Sequence, residues 1–163
     1  MAIEIEVRFL VFTRPGLEGL MPDRIVQGYL STDPARIVRI RQRGDDGFLT
    51  IKGRKIGAAA PEFEYPLPAG DLPALLALCG DAVLSKDRYQ WTGPDGLVWD
   101  IDMFTGRHQG LVIAELELPD EDTPYIKPDW LGPEITADAR FGNARLVGSG
   151  MAEIKGWITE YNG

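Results

Sequence analysis

Like charges recur two residues apart along this chain. Glu4/Glu6, Glu62/Glu64, Asp100/Asp102 and Glu115/Glu117 are acidic pairs, and Arg39/Arg41/Arg43 and Lys86/Arg88 are basic ones. Side chains alternate faces along a β-strand, so residues i and i+2 share a face about 6.8 Å apart. A solvated face usually intersperses the signs, and like charges side by side cost energy unless something compensates them. Divalent cations would compensate the acids, and a polyphosphate the bases. Alternation alone leaves two arrangements open, charged faces in water or charged faces lining a polar lumen, because a barrel with an apolar core alternates in the same way.

The strands that carry these pairs are short and separated by turn residues. The first runs from about Ile3 to Thr13, with Glu4, Glu6 and Arg8 on one face and Ile5, Val7 and Phe9 on the other. Arg14-Pro15-Gly16 opens a loop. The second strand, Arg24 to Leu30, places Ile25, Gln27 and Tyr29 together. The third, Arg36 to Arg43, joins the fourth, Phe48 to Arg54, through the hairpin turn Gly44-Asp45-Asp46-Gly47. A fifth is expected over Glu62 to Leu67. Between Asp71 and Gly80 the period changes to helical, with Leu72, Leu75, Leu76 and Cys79 on one apolar face. Asp71 suits the cap, Pro73 the first turn and Gly80 the end. Cys79 is therefore a core residue rather than a nucleophile. Strands over Ala82 to Trp91, Leu97 to Phe104 and Gly110 to Leu118 follow, and short helices are expected over Gly142 to Val147 and Met151 to Tyr161. His108 lies in the turn Gly106-Arg107-His108-Gln109-Gly110 and is expected at the surface. Trp91, Trp99, Trp130 and Trp157 read as core or rim.

Eight mostly antiparallel strands with few helices define an α+β, mainly β chain, read as one domain over 1–163. Closing the strands into a barrel removes exposed edges, and an open, curved sheet is the competing arrangement. The net charge of −8 argues against nucleic acid and anionic membrane as partners. No stretch approaches the apolar run a membrane helix needs. Charges from Glu4 onward interrupt any secretory leader and Cys79 has no partner cysteine, so a cytoplasmic location is expected. One cysteine and one histidine supply neither a Cys–His or Ser–His–Asp set nor a zinc site. A glycine-rich phosphate loop is also missing.

Charge is nevertheless concentrated locally. Between Arg36 and Lys55 seven basic residues stand against two acids, Asp45 and Asp46, a positive patch within a net-negative chain. Arginine forks match phosphate oxygens in pairs, and lysine supplies a compact charge. An ordered set of motifs runs through this pattern. It comprises Glu4-Ile5-Glu6-Val7-Arg8, Gln27-Gly28-Tyr29-Leu30, Arg39-Ile40-Arg41, Leu49-Thr50-Ile51-Lys52-Gly53, Lys86-Asp87-Arg88-Tyr89, Asp100-Ile101-Asp102, Glu115-Leu116-Glu117 and Asp138-Ala139-Arg140-Phe141-Gly142-Asn143. In this order they resemble the CYTH domain, or triphosphate tunnel metalloenzyme, superfamily over essentially the whole chain. One departure is Arg8, which stands where the family's ExExK signature has lysine, keeping the charge but replacing a point donor with a fork.

The resemblance implies a closed eight-stranded barrel whose charged residues line a tunnel, with helices outside, acting on a triphosphate with Mg²⁺ or Mn²⁺. It implies phosphate-binding roles for Arg8, Arg39, Arg41, Lys52, Lys86, Arg88 and Arg140, and metal-binding roles for Glu4, Glu6, Asp100, Asp102, Glu115 and Glu117. Mg²⁺ takes only one or two protein carboxylates, so some of these acids would act behind the direct ligands. Tyr29 and Lys86 are the candidate catalytic groups, Tyr29 as a base whose pKa a neighbouring cation such as Lys86 lowers. With no visible insertion to grip an organic group, inorganic tripolyphosphate is the expected small-molecule partner, turned over to pyrophosphate and phosphate by a monomer or homodimer. Thiamine triphosphate or nucleoside triphosphate hydrolysis and adenylate cyclisation are the alternative chemistries. A non-catalytic polyphosphate- or nucleotide-binding module is the alternative of another class, which the number of carboxylates disfavours.

Overall fold

A computed structural model describes residues 2–162. Eight strands make the fold: β1 (Ala2–Leu10), β2 (Asp23–Ser31), β3 (Arg36–Arg43), β4 (Asp46–Gly53), β5 (Ala59–Leu67), β6 (Val83–Thr92), β7 (Val98–Thr105) and β8 (Val112–Glu117). They close into an antiparallel barrel in the order β1-β5-β4-β3-β2-β6-β7-β8. Of the closed barrel and the open, curved sheet expected from the strand count, the closed barrel is formed. The runs β2 to β5 and β6 to β8 pair consecutively as hairpins; β1 enters between β5 and β8, with Glu4 opposite Ala60 and Arg8 opposite Glu115, and β6 crosses over to pair with β2.

The helices lie outside the strand cylinder. α1 (Leu72–Leu78) follows a 3₁₀ turn at Ala69–Asp71, and Asp71 occupies its cap position without a side-chain hydrogen bond. Its apolar face packs Leu72 and Cys79 against Ile40 on the outer face of β3. The approach is close: a Cβ on Gly28 would sit 2.7 Å from Cys79, and one on Gly47 2.4 Å from Leu72. A second apolar cluster, with Phe9, Trp99, Ile101 and Leu116 at its centre, covers the outer face of β1, β7 and β8 beneath Tyr125, Trp130 and Leu131. Burying such side chains contributes roughly 1.5–3 kcal/mol each.

The third cluster differs because it closes the barrel itself. Leu10, Tyr29, Leu84, Phe104 and Ile113 share the inward alternation of the charged residues and fill one end of the lumen. Phe141, Leu146, Val147 and Ile154 cap them, carried by a 3₁₀ turn at Ala139–Phe141, α2 (Asn143–Leu146) and α3 (Met151–Thr159). The segment leading into the cap docks on β1, with Leu10 N–H donating to Pro133 O at 2.9 Å and Ile135 N–H to Arg8 O at 2.8 Å.

His108 corrects the surface position expected from its turn. It is fully buried, with Nε2 2.8 Å from Leu146 O and 3.0 Å from Ser149 O. The 3₁₀ turn Gly106–His108 folds inward, and its imidazole reaches two carbonyls, one at the end of α2 and one just beyond it. Arg107 donates to Val147 O in the same place. Among the described residues, no helix is long and apolar enough to cross a membrane.

Candidate active site

The alternation read from the sequence decides which side chains enter the lumen. Arg8, Gln27, Arg39, Thr50, Lys86, Arg88 and Asp102 are all buried there although every one is polar. The strand order also groups the charges. β5, β1, β8 and β7, which carry Glu62/Glu64, Glu4/Glu6, Glu115/Glu117 and Asp100/Asp102, are consecutive around the barrel. β4, β3, β2 and β6, with Lys52, Arg39/Arg41 and Lys86/Arg88, form the remaining arc. One wall is acidic and the other basic, and Arg8 is the cation seated on the acidic wall.

Acids and bases meet mainly between neighbouring strands. Lys52 Nζ lies 2.6 Å from Glu4, and Arg8 Nε 3.3 Å from Glu115 and 3.9 Å from Glu6. Arg88 donates from Nε at 2.7 Å and from Nη2 at 2.8 Å to the two oxygens of Asp102. Lys86 Nζ reaches the same carboxylate at 2.6 Å, and Arg88 lies 3.3 Å from Asp100. Thr50 accepts from Arg39 Nη2 and donates to Glu64, both at 3.0 Å. Glu117 is exposed at its strand end.

Three groups are left electrostatically unsettled. Burial, with Glu115 and Glu4 nearby, pushes the Glu6 carboxyl up to about 7. Burial also pulls Lys86 down to about 8, even with Asp102 beside it. Arg41 falls to about 10, through burial and then the cations Arg39 and Arg88. Among the described residues, Arg41 is the lumen cation with no carboxylate in ion-pair reach; its Nε and Nη2 donate instead to Gln27 Oε1 at 3.0 and 2.8 Å. Glu115 behaves oppositely: burial would raise it, but Arg8, Lys86 and Arg88 hold it well below the carboxylate range.

A cavity of about 840 Å³ opens into this lumen, lined by Glu4, Glu6, Arg8, Arg39, Thr50 and Lys52 in its charged part and by Asp138–Arg140 and Gly142–Arg145 at its lip. Two guanidinium nitrogens of its wall, Arg8 Nη2 and Arg39 Nε, are buried without a hydrogen-bond partner. A buried, unpaired donor on a cation is costly. Arg140 stands on the lip, engaged with Asp138 at 2.8 Å and Glu160 at 2.7 Å. Tyr29 also lines the cavity, but its hydroxyl bonds to Gln27 and not to Lys86. Among the described residues, no three acids converge tightly enough to hold a metal ion as they stand; the lumen cations occupy several of them.

Sequence reasoning left three participants without a role. Gln27 and Thr50 are fully buried and bonded to Arg41 and Arg39. Alternation placed them on the inward faces of β2 and β4, but only the paired neighbour reveals their partner. Asn143, whose Oδ1 lies 3.5 Å from Lys86 Nζ, reaches the lumen from a different part of the chain.

An antiparallel barrel whose lumen sets a carboxylate wall against a guanidinium and ammonium wall belongs to the class of tunnel proteins built around a polyanion and a cation. The chain belongs to the CYTH domain family, whose model matches residues 2–143. It is 41% identical over 149 residues to an inorganic triphosphatase of Acetivibrio thermocellus, covering 90% of this chain and 94% of that one. It is 35% identical over 147 residues to an inorganic triphosphatase of Nitrosomonas europaea, covering 88% and 96%. A crystal structure of an inorganic triphosphatase superposes with a TM-score of 0.68 at 33% identity, covering 91% of this chain and 97% of that chain.

Proposed function

We propose that this protein, with residues 1–163 acting as one cytoplasmic domain, hydrolyses inorganic tripolyphosphate to pyrophosphate and phosphate with Mg²⁺ or Mn²⁺. The observation that carries the reading is the pair of buried, partnerless guanidinium nitrogens on Arg8 and Arg39, next to Arg41, in a cavity facing a carboxylate wall. Phosphate oxygens would satisfy those donors, and the two triphosphatase relatives supply the substrate class.

The residues fit a hard divalent cation. Glu6 is a half-buried carboxylate crowded by Glu115 and Glu4, and a dication beside it would relieve that crowding. Glu4, Glu6 and Glu115 would hold it, with Asp100 and Glu117 nearer the strand ends. Asp102, whose two oxygens already accept from Lys86 and Arg88, orients those cations instead. When bound, the ion supplies charge neutralisation on the phosphate oxygens and a more acidic water.

The protein's own part is positioning and electrostatics. Arg39, Arg41, Lys52 and Arg88 grip the phosphate oxygens, and Arg8 reaches them from the acidic wall. Arg140 guards the lip. Water attacks a terminal phosphorus in line, the bridging P–O bond breaks, and pyrophosphate leaves. Lys86, pulled down to about 8 by burial and bound to Asp102 and Asn143 at the inner end of the lumen, is the side chain assigned to proton exchange with that water. The apolar cap of Phe104, Ile113 and Phe141 keeps bulk water out of that end of the lumen.

A second reading, the same chemistry on an organic triphosphate, is favoured by the cavity's size and by Pro34, Ile37, Ala137 and Ala144 in its outer part. Incubation with tripolyphosphate, ATP and thiamine triphosphate, each with Mg²⁺ or Mn²⁺, separates them by product. Phosphate and pyrophosphate from tripolyphosphate alone is the expected result. Comparable turnover of ATP or thiamine triphosphate would favour the second reading, and cyclic AMP with pyrophosphate a cyclase. Metal-dependent binding without any product would overturn catalysis altogether.

A further inference from the structure

Gln27 sits at the centre of β2, fully buried, and no role in the triphosphatase reading requires it. Its surroundings determine which way its amide points. Arg41 offers only donors, and Nε and Nη2 both aim at one Gln27 atom, at 3.0 and 2.8 Å, so that atom is the carbonyl Oε1. The amide nitrogen then faces Tyr29, 2.8 Å from its hydroxyl, and donates to it. The phenolic oxygen is thus an acceptor in this bond, and its own proton is left over. Among the described residues no acceptor for that proton lies within hydrogen-bond reach, and Tyr29 lines the cavity.

We propose that Gln27 is a positioning residue that couples two groups of the site: it holds the Arg41 fork and turns the Tyr29 hydroxyl into a hydrogen-bond donor toward a phosphate oxygen of the substrate. The polarity runs in one direction, from Arg41 through the amide to the hydroxyl, so the tyrosine gives a proton to a hydrogen bond and does not take one. This replaces the role of base with that of an oxyanion donor acting on the transferred or departing phosphate. It rests on the triphosphatase reading for the identity of the ligand, and on the geometry alone for the direction of the chain.

Glutamate at position 27 tests the direction without removing the partner of Arg41. The Gln27→Glu carboxylate would still accept from Arg41 but would also accept from Tyr29, drawing the hydroxyl proton out of the cavity. Steady-state kinetics with tripolyphosphate and Mg²⁺ on wild type, Q27E, Y29F and the double variant provide the readout, with thermal melts alongside. The expected result is a loss of kcat by about 10- to 100-fold in both single variants. The double variant should be no slower than Y29F alone, with KM changed far less than kcat. Gln27→Leu, which removes both bonds, should raise KM as well, because Arg41 is released. Q27E with wild-type kcat, or losses that multiply in the double variant, would overturn the proposal. An inactive wild type would overturn the triphosphatase reading and this proposal with it, whereas an active wild type with an unaffected Q27E overturns this proposal alone.

Discussion

Asp138 accepts four hydrogen bonds, from the backbone N–H, Nε and Nη2 of Arg140 and from the hydroxyl of Tyr161. The Arg140 bonds come first among the causes that bring its carboxyl down to about 2, with Tyr161 adding to them. The sign follows from proton counting: between about 2 and the ordinary 3.8 the unfolded chain binds the extra proton, so stability rises with pH. The contribution is complete above the ordinary carboxyl value and disappears as pH falls toward 2. Asp138→Asn should therefore cost about 1 kcal/mol at neutral pH, solvent screening included. The gap between the two melting curves should close near the acid end; a gap independent of pH would mean that shape rather than charge holds this corner. His108 teaches a complementary lesson at the same scale. A histidine between glycines reads as a surface turn, and nothing local marks it as buried. Its partners, Leu146 O and Ser149 O, lie 38 and 41 residues away. Gln27 was half legible: period 2 turned it inward, but only the β2–β3 register set it opposite Arg41.

At the scale of elements, the strands were legible because each carries its own alternation and is bounded by its own turn. β3 matches its expected span of Arg36–Arg43, and β6 and β7 agree to within a residue at each end. β1 stops at Leu10 rather than Thr13, and Gly132 to Ile135 bonds to Arg8 and Leu10 at its end. β5 starts at Ala59, before Glu62, on a run of small residues whose pairing with β1 is invisible in the sequence. The expected helix between Asp71 and Gly80 is likewise present as α1, and its seat on the barrel is narrow. A Cβ on Gly47 would lie 2.4 to 2.9 Å from three atoms of Leu72, itself buried under β4. Gly47→Ala should push α1 outward and destabilise the protein by about 1–3 kcal/mol, the range for overpacking. Chemical denaturation of Gly47→Ala against a Gly47→Ala/Leu72→Ala pair measures it. If the second substitution restores nothing, the collision with Leu72 is not the cause.

The whole molecule adds something no single strand contains: the order of strands around the barrel collects the acids on one arc and the bases on the other. Consecutive hairpins alone would not do this. It depends on two pairings of distant segments, β1 with β5 and β2 with β6. The result is a lumen with opposite, unrelieved demands, Glu6 pushed up to about 7 on one wall and Arg41 pulled down to about 10 on the other. An anion alone relieves Arg41 and the unpaired nitrogens of Arg8 and Arg39, but it adds negative charge opposite Glu6. A dication alone does the reverse. Only together do they neutralise both walls, so each should strengthen the binding of the other. A ligand at about 100 times its Kd stabilises the fold by about 2.7 kcal/mol. Melting curves with Mg²⁺ alone, with imidotriphosphate alone (its bridging nitrogens resist cleavage) and with both should therefore show a joint shift larger than the sum of the separate ones. In Glu6→Gln the excess should shrink, because one of the two opposed charges is gone, while the shift from imidotriphosphate alone should grow. Strictly additive shifts in the wild type would mean that the two walls act independently, and that the sorting of charge by strand serves the fold rather than the ligand.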